Sequence, residues 1–320
     1  MMKVNILLIL FLIFSWKLLH AQQERQLTPA EIKQLTVINE PLTLFKGYTR
    51  TGFSYLIIYG NNFFDLDGNK TAISNAFGKQ WTLQNITIYG ITDKLQVGFG
   101  LPYTSKELTL SNNFEVPLSD IYMHSKWEQS GSGLSDISLF ADYQLLTQSE
   151  NSGLVGQFTL TLPTGRKNPS EIIDENNFRA PTGNGAMVVD LAMKYRKTKY
   201  PMMYEGRVGY ALYMKGKKQF EPNGNELSFR DGNHLYMSAS HGYHLNDWLA
   251  VINDINYNIF GVDTVDGVKA STMSTFDISW MPRLSFQIKR VRFNQGLTVP
   301  LKGRLSGADV SYILIVQYMI

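Results

Sequence analysis

The chain has 320 residues, no cysteine and a formal net charge of +3. The lack of cysteine excludes a disulfide framework and a lipid-modified cysteine, and a net charge this small for the length gives no indication of nucleic-acid binding. Aromatic residues make up 12% of the chain, a load that suits β-rich proteins, membrane barrels with aromatic girdles among them.

The first segment, residues 1–21, differs from the rest of the chain. Lys3 gives it a charged start, residues 6–16 are almost wholly apolar, and Leu19-His20-Ala21 is a predicted cleavage site. The apolar run is too short for a spanning helix and predicts a secretory signal peptide. A short membrane anchor is the alternative.

Residues 22–46 are polar and lack the pattern of a strand. Thr28-Pro29-Ala30-Glu31 has a Thr cap followed by Pro at the first helical position, which predicts a short helix over residues 29–35. The helix either hangs in the periplasm or enters the mouth of a barrel, and a loose linker is the alternative. The predicted division is a signal peptide at 1–21, a periplasmic N-terminal segment at 22–46 and a barrel at 47–320.

From residue 47 onward, apolar and polar residues alternate in about twelve segments. The clearest is the hairpin at 133–165, where Leu139, Ala141 and Tyr143 alternate with polar neighbours that include Asp142. Period-two alternation predicts strands with one apolar and one polar face. The predicted strands cover about 47–59, 80–91, 95–103, 133–146, 153–165, 189–196, 204–212, 232–244, 248–260, 271–288, 291–299 and 308–320.

The connections between these strands alternate between long and short. This pattern is typical of an up-and-down antiparallel transmembrane β-barrel, which has short periplasmic turns and longer external loops. The fold class predicted is therefore all-β, with about twelve strands and a short N-terminal helix or plug segment. Pro282 falls inside a predicted strand, where a missing N–H donor predicts a bulge.

The polar faces of the strands carry charges of both signs. Such residues are costly in a dry core and acceptable in a wet lumen. They either line a hydrated solute path or pair across strands and fill a closed barrel, and mixed signs argue against strong ion selectivity. The candidate lumen-lining residues are Asp136, Asp142, Asp190, Lys194, Glu205, Arg207, Asp254, Asp277 and Arg292.

We expect no catalytic residues, no metal site and no cofactor. His241 and His244 lie on opposite faces of one strand, and Thr164-Gly165-Arg166-Lys167 lacks the spacing of a phosphate loop. Residues 65–69 resemble half of a calcium loop but lack the closing acidic residue, so turn chemistry is the favoured interpretation.

Three motifs in order carry a family resemblance. They are Tyr89-Gly90-Ile91-Thr92-Asp93-Lys94-Leu95 leading to Leu101-Pro102-Tyr103, then Gly133-Leu134-Ser135-Asp136 followed by Ala141-Asp142-Tyr143-Gln144, and then Leu162-Pro163-Thr164-Gly165. Together they resemble the outer-membrane proteins of the "meta-pathway of phenol degradation" family. The resemblance implies a transporter-like barrel, carries over no catalytic residue, and implies no phenol substrate. Two departures are Ser135, where the family has a second glycine, and the last residue Ile320, where an aromatic is usual and Tyr318 is the nearest one.

The predicted function is passage of small solutes, hydrophobic ones included, across the outer membrane of a Gram-negative bacterium. A filled barrel that acts structurally or through external loops such as 104–132 is the alternative, and a barrel hydrolase is less favoured. The expected partners are outer-membrane lipid, the barrel-assembly machinery acting on the C-terminal strand, and a small solute, with no nucleic acid.

Overall fold

The computed structural model describes residues 42–72, 76–110, 114–115, 122–123, 127–146, 152–174, 177–220, 224–270 and 273–319. The predicted signal peptide and the predicted helix at 29–35 lie outside these residues. Across the described ranges, no helix is long and apolar enough to cross a bilayer.

The wall of the molecule is built from long antiparallel strands. They are β1 (Thr49–Gly60), β2 (Ala76–Gly90), β3 (Leu95–Leu110), β4 (Trp127–Leu134), β5 (Ile137–Leu146), β6 (Ser152–Leu162), β7 (Val188–Lys199), β8 (Met202–Tyr213), β9 (His234–Asn246), β10 (Leu249–Phe260), β11 (Thr275–Ile288), β12 (Val291–Arg304) and β13 (Ser311–Met319).

The strands close into a ring of twelve. Its order is β3, β2, β1, β13, β12, β11, β10, β9, β8, β7, β6 and β5, and β5 pairs back onto β3. The first and last strands meet along a register that runs from Arg50↔Met319 to Ile58↔Ser311. The prediction of a closed, up-and-down barrel of twelve strands is therefore confirmed.

Short strands lie at one rim of the barrel, within the long connections. Asn62–Phe64, Lys70–Ala72 and Ser306–Gly307 form one sheet, while Gly216–Lys218, Leu227–Arg230, Thr264–Val265 and Val268–Lys269 form a second. Phe114–Glu115 pairs with Tyr122–Met123, and Ser170–Asp174 pairs with Asn177–Arg179, which adds a parallel strand to β4. The opposite rim has the tight turns.

The period-two pattern gives the barrel an apolar outer face. On β7, Leu191 is 53% exposed whereas its neighbour Ala192 is 6% exposed. Other outer-face residues with large exposed surfaces are Phe53, Leu83, Leu139, Tyr143, Phe158, Met193, Tyr204, Val208, Tyr243, Ile255, Trp280 and Leu297. Because a closed barrel leaves no unpaired strand edge, such an exterior is suited to lipid.

Two expectations about strands need correction. Residues 104–132 were expected to be one long loop, but β3 continues to Leu110 and β4 begins at Trp127. The sequences of these extensions are polar because both faces of a strand contact water beyond the lipid. Apolar and polar residues therefore need not alternate there. Pro282 has no bulge: β11 pairs with β12 at Trp280↔Val299 and again at Arg283↔Gly296, and the register shift lies between Ile278 and Ser279, beside Pro300.

A lysine on the outer face should destabilise the barrel more than a lysine on the inner face. We expect Leu191→Lys, on the lipid side of β7, to lower the free energy of unfolding by about 2–4 kcal/mol. Thr159→Lys is the matched control, since Thr159 lies on the inner face opposite Asp190. Urea titration in lipid vesicles measures both, and equal losses would contradict the assignment of faces.

Candidate functional site

The inner face of the barrel is where the sequence-predicted residues lie. Eight of the nine lie within wall strands: Asp142 on β5, Asp190 and Lys194 on β7, Glu205 and Arg207 on β8, Asp254 on β10, Asp277 on β11 and Arg292 on β12. Asp136 lies in the break between β4 and β5. All share the face opposite the exposed apolar side chains.

Charged groups on this face pair along the wall. Arg196 binds Glu205 through Nε at 2.8 Å and through Nη2 at 2.7 Å, while the Lys194 ammonium lies 3.7 Å from the same carboxylate. Arg283 holds both oxygens of Asp254, with Nη2 at 2.8 Å from Oδ1. Each pairing joins adjacent strands, β7 with β8 and β10 with β11, so among the described residues these ion pairs run along the wall.

Tyr236, which sequence reasoning did not select, connects two of the predicted residues. Its hydroxyl donates to Asp190 Oδ1 at 2.7 Å and accepts from Arg207 Nη2 at 3.1 Å. The Arg207 guanidinium also lies 5.0 Å from the centre of the tyrosine ring, within cation–π range. Asp190, Tyr236 and Arg207 thus form one chain across β7, β9 and β8.

Inward glycines let large side chains lie flat against the wall. A methyl group added at Gly209 would clash with the ring of Tyr236, and one added at Gly98 would clash with Phe140. At Gly296 an added carbon would lie 2.6 Å from Cγ of Arg283. A glycine on one strand therefore accommodates the long side chain of its neighbour, which keeps that side chain out of the lumen.

A polar cavity of about 430 Å³ lies at the end of the lumen below the long connections. Its lining includes Asp136, Asn184, Asp190, Arg207 and His234. Asp136 accepts hydrogen bonds from the backbone N–H groups of Gly165 at 2.9 Å and Asn184 at 2.6 Å. The motif residues around Asp136 and Gly165 thus end a strand and anchor the 163–187 connection.

Asp277 belongs to a hydrogen-bonded chain with Asn258 and His234. Asn258 Nδ2 donates to Asp277 Oδ1 at 2.8 Å, and the Asn258 carbonyl lies 3.0 Å from His234 Nε2. His234 stacks on Phe260 with ring centres 4.2 Å apart. Arg292 on β12 donates a hydrogen bond to Gln287 Oε1 on β11, at 3.0 Å.

At the rim of tight turns, the described end of the N-terminal segment, residues 42–46, enters the barrel. Thr43 and Leu44 are buried, and the Leu44 N–H donates to Gln96 Oε1 at 2.7 Å. Gln96 in turn donates to Asp142 Oδ2 at 2.7 Å, and Thr43 Oγ1 donates to Gln144 Oε1 at 3.0 Å. The segment therefore occupies the side of the mouth formed by β3 and β5.

The described residues contain no group of three His, Cys, Asp or Glu side chains that could hold a metal ion. In the 65–69 turn, Asp65 Oδ1 accepts from the N–H groups of Asp67 at 2.9 Å and Asn69 at 2.8 Å. The Asn69 N–H holds the pKa of Asp65 below its ordinary value. The Asp65 carboxylate therefore accepts hydrogen bonds from the backbone of its own turn. His241 is exposed beside Tyr204, and His244 is buried on the inner face.

The closed wall and the apolar exterior define an outer-membrane β-barrel of a Gram-negative bacterium. No protein-family model matches the chain, and no curated protein sequence matches it. Among solved structures it is similar to an outer membrane channel from Pseudomonas putida F1, at 14% identity and a TM-score of 0.67, over 88% of this chain and 98% of that one. This likeness shows the fold.

A further match is the toluene transporter TbuX from Ralstonia pickettii, at 11% identity and a TM-score of 0.44, over 91% of this chain and 93% of that one. The Pseudomonas putida toluene transporter TodX matches at 10% identity and a TM-score of 0.39, over 89% and 92% of the two chains.

The two glycines of β8 offer a matched test of the flat-lying side chains. Gly209→Ala should displace the Tyr236 ring, break its bond to Asp190 and cost about 1–3 kcal/mol through overpacking. Gly206 lies on the outer face with open space around it, so Gly206→Ala should change stability by less than about 0.5 kcal/mol. Urea titration compares them, and equal stability of the two variants would contradict the packing described.

Removing the Asp136 carboxylate should loosen the 163–187 connection. Asp136→Ala leaves two backbone donors without their acceptor, at a cost of about 1–3 kcal/mol. Since 1.4 kcal/mol corresponds to about tenfold, trypsin should cleave after Arg166 or Lys167 roughly tenfold faster. Asp67→Ala in another connection is the control. Unchanged cleavage in a folded barrel would show that Asp136 does not anchor the connection.

Proposed function

We propose that this barrel is a channel that passes small solutes, hydrophobic ones among them, across the outer membrane. The observation that carries the proposal is the partial exposure of inner-face side chains inside a closed wall. The Lys194 side chain is 21% exposed and the Glu205 side chain is 18% exposed, although both form ion pairs. Exposure at these positions means that space remains inside the barrel.

The same observation disfavours the filled barrel. In a filled barrel, charged side chains would reach across the lumen and lose their contact with water. Here Glu205 is paired with cations on the adjacent strand and stays partly exposed, and Tyr236 lies over Gly209. The interior is thus lined by side chains that lie along the wall, which supports a path for solute.

Hydrophobic solutes are favoured by the lining of the lumen. Apolar side chains, including Ile313 and Ile315, share the inner face with the charged groups and are not fully buried. The solved structures that the chain resembles include proteins described as toluene transporters. The ordered motifs from Tyr89 to Gly165 support membership of the "meta-pathway of phenol degradation" family. The resemblance of the chain to that family implies a transporter-like barrel.

Processing and partners complete the proposal. Residues 1–21 would be removed as a signal peptide, leaving a chain that begins at Gln22. The C-terminal strand β13, with Tyr318 on its outer face, would be recognised by the barrel-assembly machinery. The exposed apolar exterior would then be covered by outer-membrane lipid.

Single-channel conductance of refolded residues 22–320 in a planar bilayer tests the proposal. We expect discrete conductance steps, because water and ions can enter the space beside Lys194 and Glu205. A silent bilayer, with the barrel shown to be folded and inserted, would overturn the open path and favour the filled barrel that acts through its loops.

Removing the N-terminal segment should increase the conductance. Deletion of residues 22–46 takes Thr43 and Leu44 away from Gln144 and Gln96 and empties one side of the mouth. Larger single-channel steps than those of the 22–320 protein are the expected result. As a control, deletion of residues 22–41 keeps the docked segment, and if that shorter deletion has the same effect, the docked residues are not the obstruction.

A further inference from the structure

We infer that the preferred solute of this channel is a small amphipathic anion, an apolar ring or short chain that carries one carboxylate. This inference rests on the proposed channel function and adds a chemical class to it. It follows from two patches of the inner face, an apolar wall and a cationic wall, which lie on opposite sides of the lumen.

The apolar wall is formed where the first and last strands meet. Leu56 on β1 pairs with Ile313 on β13, and Ile58 and Ile315 extend the same surface along the two strands. Ile58 is 37% exposed, and Leu56, Ile313 and Ile315 are partly exposed. Ile86 on β2 adds a fifth member next to β1.

This wall is more apolar than lipid contact requires. On β13 the outer face already has Leu314 and Val316 for the lipid, so alternation would allow polar residues at 313 and 315. Instead residues 313–316 form an unbroken apolar run, and Ile313 and Ile315 face the lumen. Apolar surface left in water costs about 25 cal/mol per Å², so an apolar solute that covers this wall binds favourably.

The cationic wall is formed by β7 and β8. It contains Lys194, Arg196 and Arg207 with the two carboxylates of Glu205 and Asp190, which leaves one excess positive charge. Lys194 lies directly opposite Arg207 in the register, an arrangement of like charges that is normally destabilising. A bound anion relieves this repulsion, and a single excess charge matches a monoanion.

Ring order places these two walls across the lumen from each other. In a ring of twelve strands, β8 is six strands from β1, and β7 is six strands from β13. Ile315 lies four residues before the end of β13, and Lys194 lies five residues before the end of β7 at the same rim. With a rise of roughly 3.3 Å per residue, these residues lie at similar depths.

A solute between the walls can therefore satisfy both at once. Its apolar body covers Leu56, Ile313 and Ile315, while its carboxylate accepts hydrogen bonds from Lys194 or Arg207. A neutral hydrocarbon leaves the repulsion between Lys194 and Arg207 in place, and an organic cation increases it. Acetate has the charge but too little apolar surface to cover the opposite wall.

The test uses benzoate, acetate and benzylammonium as probes of the refolded 22–320 protein in a planar bilayer. Reversal potentials under salt gradients give the permeability of each ion relative to chloride or potassium. In a plain aqueous pore the smaller acetate permeates better than benzoate. We expect the reverse order here, with benzoate preferred over acetate by about threefold or more and benzylammonium disfavoured, since about 0.7 kcal/mol gives that ratio.

Two pairs of variants separate the contributions of the walls. Lys194→Gln with Arg207→Gln should abolish the preference for benzoate over benzylammonium, whereas Lys197→Gln, exposed on the outer face of β7, should leave it unchanged. Ile313→Ser with Ile315→Ser should restore the size order, acetate above benzoate, and keep the charge preference. Ile313→Leu with Ile315→Leu is the conservative control, and folding of every variant is checked by its heat-dependent gel mobility.

The outcomes separate this inference from the proposed function. If the protein conducts chloride and potassium but is more permeable to acetate than to benzoate, the amphipathic-anion inference is overturned and the channel function stands. The same conclusion follows if Lys194→Gln with Arg207→Gln keeps the preference for benzoate over benzylammonium. A folded, inserted protein that gives no steps with any ion would overturn the channel function itself.

Discussion

The structure depends on one constraint, that no backbone N–H or C=O group can stay unpaired in lipid. A sheet meets this condition when its first and last strands pair, and here β1 and β13 do so from Arg50↔Met319 to Ile58↔Ser311. Closure then separates two environments. Every strand must present apolar side chains to the lipid, and the face that remains is free to carry other chemistry.

That inner face shows how a barrel of twelve strands can hold many charges. Arg196 and Lys194 share Glu205, and Arg283 takes both oxygens of Asp254, so long side chains are held parallel to the wall. Gly209 and Gly98 provide the room that flat-lying rings need. Pairing between adjacent strands therefore satisfies the charges and limits how far they project into the lumen.

The alternation of residues was enough to predict the twelve strands, their faces and the rim of tight turns, because lipid imposes that alternation. Beyond the lipid the constraint is relaxed, and residues 104–110 were accordingly taken for a loop. The hydrogen-bond and ion-pair partners of the charged residues could not be predicted from the sequence either. Tyr236 and Asp190 are 46 residues apart, and their contact depends on the register of β8 between them. The glycine positions were visible, but their use by Tyr236 and Phe140 required the same register.

The placement of the apolar wall opposite the cationic wall follows from the order of strands in the ring. Neighbours in sequence are neighbours in the wall, so the charged residues of β7 and β8 form one patch, while closure places the two ends of the chain in another. Six strands separate these patches in either direction. A side chain on one wall cannot reach the other without crossing the lumen. In the proposed channel the apolar wall and the excess positive charge both face water, and a molecule with one apolar and one anionic end would remove both costs together.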